Sequence, residues 1–144
     1  MKTKHWLLMD IACIVWISCC LSVAMAQPDA AERTVGQKAK EILDATGVRG
    51  GLIVHLGCAD GQLTAALRAN DSYLVHGLDA NPAAVAVARK HIWGLGLYGA
   101  VSVETLDGPE LPYADNLVNL LVAENVGPVP VEECMRVLAP DGVL

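Results

Sequence analysis

The ten residues Leu52-Ile53-Val54-His55-Leu56-Gly57-Cys58-Ala59-Asp60-Gly61 begin as one kind of structure and end as another. The first half is a nearly continuous apolar, β-branched run, the pattern of a strand covered on both faces. The second half places small residues at 57, 59 and 61, where the backbone can turn sharply and a ligand can approach it with no Cβ in the way. A helical pattern over residues 62–69 and a second strand over 73–78, stopped at Asp79, complete a βαβ unit.

The same alternation continues on both sides. Upstream, Val35, Ala39, Ile42, Leu43 and Thr46 make a helical stripe over residues 32–46, stopped by Gly47. Downstream, Pro82 suits a first helical turn and residues 83–93 extend that helix. Strands are expected over 101–106 and 117–123, then a helix over 131–138, and Val143-Leu144 reads as the start of a fifth strand. Strands alternating with helices form a parallel sheet with right-handed crossovers. The expected fold is therefore α/β, a doubly wound parallel sheet broken off inside strand five, and the chain reads as the N-terminal part of a longer protein.

Composition bounds the possible functions. The chain has 144 residues, 53% hydrophobic and 18% charged, with a net charge of −6. So apolar a chain is not intrinsically disordered, and its length suits one domain. Sixteen acidic residues against ten Lys+Arg argue against a nucleic-acid partner, whose phosphates need clustered cations.

Part of the apolar content belongs to a leader. Lys2 and Lys4 precede the apolar stretch over residues 11–23, which ends in Ala24-Met25-Ala26. A basic start, an apolar core and an A-x-A exit predict a signal peptide over residues 1–26 and an exported protein, periplasmic or extracellular. The alternative is an uncleaved leader that anchors the chain, the one route to a membrane partner. A short linker is expected over 27–31 and the domain over 32–144. Cys13, Cys19 and Cys20 lie in the leader, leaving Cys58 and Cys134, between which a bridge is left open.

In an open parallel sheet, ligands bind outside the carboxyl ends of the strands, where strand order reverses. Those ends fall here at residues 55–61, 79–81, 107–108 and 124–125. Asp79 stands eighteen residues after Gly61, and an acid in that place can accept hydrogen bonds from ribose hydroxyls. A dinucleotide fingerprint needs a small third residue where Gln62 stands, so the spacing favours a nucleoside without a pyrophosphate and disfavours a nicotinamide oxidoreductase.

At these residues the chain resembles the class I S-adenosylmethionine-dependent methyltransferases, over residues 52–144. Val54-His55-Leu56-Gly57-Cys58-Ala59-Asp60-Gly61 resembles the first motif, an acid followed by G-x-G-x-G. Gly77-Leu78-Asp79-Ala80-Asn81-Pro82 is similar to the second strand end, where the acid holds the cofactor ribose. Asp107-Gly108-Pro109-Glu110-Leu111-Pro112-Tyr113 resembles D-A-x-x-L-P-F, whose acid lies near the adenine amino group. Residues 133–142 resemble E-x-x-R-V-L-K-P-G-G. The resemblance implies a Rossmann-like sheet, S-adenosylmethionine as cofactor and small-molecule partner, and His55, Gly57, Ala59, Gly61, Asp79, Ala80, Asp107 and Gly108 as the residues that bind it. It names no catalytic residue and no methyl acceptor.

The chain departs from the family at several of these places. His55 replaces the acid that helps orient the cofactor's ammonium group, and Ala59 replaces the middle glycine, a change tolerable at negative φ. Val118 and Asn119 replace a Phe-Asp pair, and Asp141 the first glycine of P-G-G. These departures carry a second expectation, an exported module with a degenerate cofactor site inside a larger protein, similar to domains that precede a quinoprotein-type β-propeller.

The remaining candidates have plainer readings. Cys58, near a helix start, is either a reactive thiol or a small residue filling a turn, and the turn reading is favoured. His55, His76 and His91 lack the spacing of metal ligands, so no metal site is expected. Glu124 and Glu133 receive no catalytic role. Trp93, Leu95 and Leu97 read as helix-end packing, with a pocket lid as the lesser alternative.

Overall fold

The computed structural model describes residues 30–123 and 126–144, so the expected leader, most of the expected linker, and Glu124 and Asn125 lie outside the described residues. Helix α1 (Ala30–Thr46) leads into strand β1 (Gly51–Leu56), followed by α2 (Gln62–Ala66), β2 (Tyr73–Asp79) and α3 (Pro82–Gly94). Strands β3 (Val101–Thr105) and β4 (Val118–Ala123), helix α4 (Val131–Val137) and strand β5 (Leu138–Val143) complete the described chain. The strands form one sheet in the order β3-β2-β1-β4-β5, every pairing parallel. Strand order reverses between β1 and β4, as a doubly wound sheet requires.

The apolar runs fill both faces. Ile53 and Val75 pack with Ala39, Leu43, Leu67, Val85, Ala88 and Ile92 on the side of α1, α2 and α3. Val54, Leu56, Leu78 and Leu121 pack with Cys134 and Val137 of α4 on the other. Burying each of these large side chains contributes about 1.5–3 kcal/mol, so the two layers hold the sheet between them. Cys58 belongs to the first layer and Cys134 to the second, both as free thiols, so the sheet itself separates them and no bridge joins them.

Local chemistry sets the element ends. Gly47 at φ 69 stops α1 and donates its N–H to the Leu43 carbonyl. Asn81 caps α3 by accepting from the Ala83 N–H at 3.0 Å, with Pro82 in the first turn as expected. Helix α2 is shorter than its sequence pattern, ending at Ala66, and α1 already begins inside the expected linker.

The fifth strand differs most from expectation. It starts at Leu138, directly off α4, and not at Val143. Backbone bonds from Asn116 and Leu117 to the carbonyls of Arg136 and Val137 draw the end of α4 against the start of β4. Leu138 then pairs with Val118 and Val143 with Leu120, with an irregularity between them. Pro140 offers no N–H there, Asp141 sits at φ 65, and a Cβ on Gly142 would meet the Ala139 carbonyl oxygen at 2.8 Å. Pro-Asp-Gly is an irregularity within the strand, so the strand begins five residues before Val143.

Asn119 has a structural task. Its Oδ1 accepts the Leu52 N–H at 2.9 Å, closing the ladder at the start of β1 with a side chain. We expect Asn119→Leu to lower unfolding stability by about 1 kcal/mol, because it leaves that N–H without a partner. Asn119→Asp keeps the acceptor and should stay close to the parent at neutral pH. Urea unfolding of the three proteins separates these outcomes.

Candidate functional site

Parallel register brings the expected site residues to one edge. Leu56 pairs with Leu78, and Asp79 with Thr105, so the ends of β1, β2 and β3 lie side by side. Gly57, Ala59, Ala80, Asp107 and Gly108 are exposed there, and Asp79 is half-buried among them.

The loop after β1 is built on glycine-type backbone. Gly57 (φ 74), Ala59 (φ 45) and Gly61 (φ 80) all take positive φ. Gly57 and Cys58 both donate to the Leu78 carbonyl, at 2.8 and 3.3 Å, and Gly61 closes a turn onto the Cys58 carbonyl at 2.8 Å. Ala59 thus adopts the conformation its Cβ disfavours, against the expectation of a negative φ, at a cost of roughly 1–2 kcal/mol. Its N–H donates to Asp79 Oδ2 at 3.0 Å, which helps hold it there. Gly61 is buried, and a Cβ on it would lie 2.9 Å from the Ala88 Cβ, so its missing side chain lets α3 approach the loop.

Asp79 organises the edge. Oδ2 accepts from Ala59, Oδ1 accepts from the Asn81 N–H at 2.8 Å, and its carbonyl accepts from Leu106 at 2.9 Å. Each carboxylate oxygen has two lone pairs, so one on each is still available to a ligand hydroxyl.

His55 lies near the end of β1 with its side chain turned to the α2 face, 3% exposed, and Nδ1 2.8 Å from Thr64 Oγ1. Alternation along β1 sets it beneath the loop, where it supports α2. Gly77, not singled out in the sequence, supplies the room: a Cβ there would lie 3.0 Å from the Cys58 Cβ and 3.1 Å from Thr64 Cγ2. Its place opposite His55 in the neighbouring strand was the available signal.

Cys58 is inert by environment. Burial pushes its thiol up to about 12, with the Asp79 and Asp60 carboxylates acting in the same direction. It fills space under the loop, which settles its two readings in favour of packing. The lid reading also fails. Helix α3 carries the chain back across the sheet, so Trp93, Leu95 and Leu97 lead into β3 at the opposite edge. Leu95 and Leu97 line an apolar groove with Val35, Ala65 and Ala66.

The segment over residues 107–117 is clamped from α4. Glu133 Oε1 accepts the Leu111 N–H at 2.8 Å, and Arg136 donates to the Tyr113 and Leu111 carbonyls at 3.0 and 3.3 Å. The two side chains pair through Arg136 Nε to Glu133 Oε2 at 2.8 Å and Nη2 to Oε1 at 2.7 Å. Arg136 and the Leu111 N–H hold the Glu133 carboxyl down at about 2. Glu133 is therefore ionised at neutral pH and serves to fix a loop.

A family model described as a methyltransferase domain matches residues 53–142. No curated protein matches the chain. Among solved structures, a Methanococcus maripaludis protein provisionally assigned as an S-adenosyl-L-methionine-dependent methyltransferase superposes with a TM-score of 0.70 at 22% identity, over 78% of this chain and 55% of its own. Geranyl diphosphate C-methyltransferase from Streptomyces coelicolor A3(2), solved with S-adenosyl-L-homocysteine, gives 0.66 at 17% identity, over 83% of this chain and 50% of its own. A [4+2]-cyclase gives 0.65 at 23% identity, over 73% and 41%. The chain thus spans about half the length of these structures, and at such identities the likeness is one of fold.

Two outcomes are expected from the loop and its clamp. Ala59→Gly should raise stability by about 1 kcal/mol by releasing the positive-φ strain, whereas Gly61→Ala should cost about 1–3 kcal/mol by overpacking against Ala88; thermal denaturation reads both. Glu133, whose carboxyl is lower folded than its ordinary 4.5, stabilises the fold fully above pH 4.5. That contribution shrinks as pH falls from 4.5 to about 2 and is gone below. Acid unfolding of Glu133→Gln should lack this part of the pH dependence.

Proposed function

The chain belongs to the methyltransferase domain family, and we propose that it forms the cofactor-binding part of an S-adenosylmethionine-dependent methyltransferase. The observation that carries the reading is the state of Asp79. It is a half-buried carboxylate at the carboxyl end of β2, steadied by two backbone N–H groups, with one lone pair on each oxygen left for a ribose diol. This donor and acceptor arrangement fits the nucleoside of the cofactor.

The exposed backbone of residues 57–61 would run alongside the amino-acid part, Asp79 and Ala80 would hold the ribose, and Asp107 and Gly108 would border the adenine. When bound, the cofactor supplies an electrophilic methyl group on a sulfonium. The chain's share of the chemistry is to bind and orient it, and rate enhancement in such a site rests on proximity and alignment with the acceptor. His55 contributes by keeping α2 under the loop through Thr64. With no acid at position 55, the cofactor's ammonium group would be left to backbone carbonyls of the loop. The solved likenesses to proteins that bind this cofactor or its product support the reading.

We also propose export through the leader over residues 1–26, on the strength of Lys2, Lys4, the apolar run and Ala24-Met25-Ala26.

Calorimetric titration with S-adenosylmethionine and S-adenosylhomocysteine tests the function. We expect saturable binding of both by the parent, and at least a tenfold weaker association for Asp79→Asn, which exchanges one acceptor oxygen for a donor. The absence of heat from either ligand, or binding of NADH in their place, would overturn the assignment.

A further inference from the structure

On the α4 face of the sheet, β2 and the segment after β3 share a polar contact that the site described above does not use. The Tyr113 hydroxyl lies 2.7 Å from His76 Nδ1, and the two rings meet edge to face, with centroids 5.8 Å apart at 89°. His76 is 16% exposed, and its Nε2 is buried without a hydrogen-bond partner, 3.9 Å from Glu104 Oε2. A carboxylate on that side favours the proton on Nε2, which leaves Nδ1 to accept from the tyrosine. Burial keeps both partners neutral, lowering the imidazole and raising the phenol.

The position of this contact matters more than its strength. His76 lies three residues before Asp79 on the same strand, and Tyr113 ends the arc that carries Asp107 and Gly108. The arc leaves β3 at Leu106, whose N–H is held by the Asp79 carbonyl, and residues 107–110 are exposed throughout. The buried Leu111 and the Glu133–Arg136 pair fasten its far end to α4. At this arc's far end, the Tyr113 hydroxyl reaches back to the strand that bears Asp79. A phenylalanine would fill the same space and leave that link unmade.

We infer that His76 and Tyr113 are positioning residues, a tether that holds the Asp107–Gly108 arc in register with Asp79 so that both borders of the nucleoside site are set together. The inference rests on the nucleoside-site reading above for its functional half. Its structural half, an arc whose far end is tied to β2 by the Tyr113–His76 bond, stands apart from any ligand.

The test uses Tyr113→Phe, His76→Leu and His76→Asn, whose amide oxygen falls close to the place of Nδ1. Amide hydrogen exchange reads the arc over residues 107–114, and titration with S-adenosylhomocysteine reads the site. For Tyr113→Phe and His76→Leu we expect exchange about tenfold faster across the arc and affinity weaker by about three- to tenfold, with the double variant no worse than either single one. His76→Asn should restore most of both. Unchanged exchange in Tyr113→Phe overturns the tether. Faster exchange with unchanged affinity overturns the positioning role, as does His76→Asn behaving like His76→Leu. If the parent does not bind the ligand, the function assignment fails while the exchange data still decide the tether.

Discussion

A single residue, Asp79, ties together the loop after β1, the start of α3 and the end of β3. One oxygen fixes Ala59 in the loop after β1, the other fixes Asn81 at the start of α3, and the carbonyl of the same residue fixes Leu106 at the end of β3. Hydrogen bonds to a charged acceptor are worth more than neutral ones, roughly 1.5–3 kcal/mol each. The loop geometry, the cap of the following helix and the departure of the 107–113 arc therefore share one origin. A ligand that engages Asp79 would meet a group already oriented, and so would pay little to order it.

That arrangement depends in turn on close packing beneath it. Gly77 leaves space for Cys58 and Thr64, Thr64 holds the His55 imidazole, and Gly61 lets Ala88 of α3 come within contact of the loop. Interiors are packed tightly enough that a single added methyl is felt, so these small residues fix the height of the loop above the sheet. The strained Ala59 persists for the same reason: the bond to Asp79 and the turn onto Cys58 over-determine its conformation.

Most of the architecture was legible in the sequence, because buried parallel strands and amphipathic helices leave strong periodic signals. The strand ends, Asn81-Pro82 at the start of α3 and the stop at Gly47 all follow from local rules. The β5 boundary was not legible, since Pro-Asp-Gly has the same composition in a turn and in a bulge, and only pairing with β4 distinguishes them. The expected site residues fall at one edge, as the strand ends predict, and among them His55 turns its side chain inward. Its face is fixed by strand alternation, but its partner Thr64 is a contact across elements that no spacing rule announces. The tasks of Glu133 and Arg136 were hidden likewise, because their partners are backbone groups of a loop more than twenty residues earlier.

Position 55 shows how such a site can depart from its family without losing its frame. An acid there would carry a charge into a place that is 3% exposed and faces a threonine hydroxyl, at a desolvation cost that a neutral imidazole avoids. The histidine instead serves the interior, tying β1 to α2. On the neighbouring strand Asp79 stands in a different environment, half-buried at the end of β2 and in partial contact with water. The two positions thus follow one rule of burial. A neutral ring stands where the chain is 3% exposed, and the carboxylate stands where the end of β2 is only half-buried.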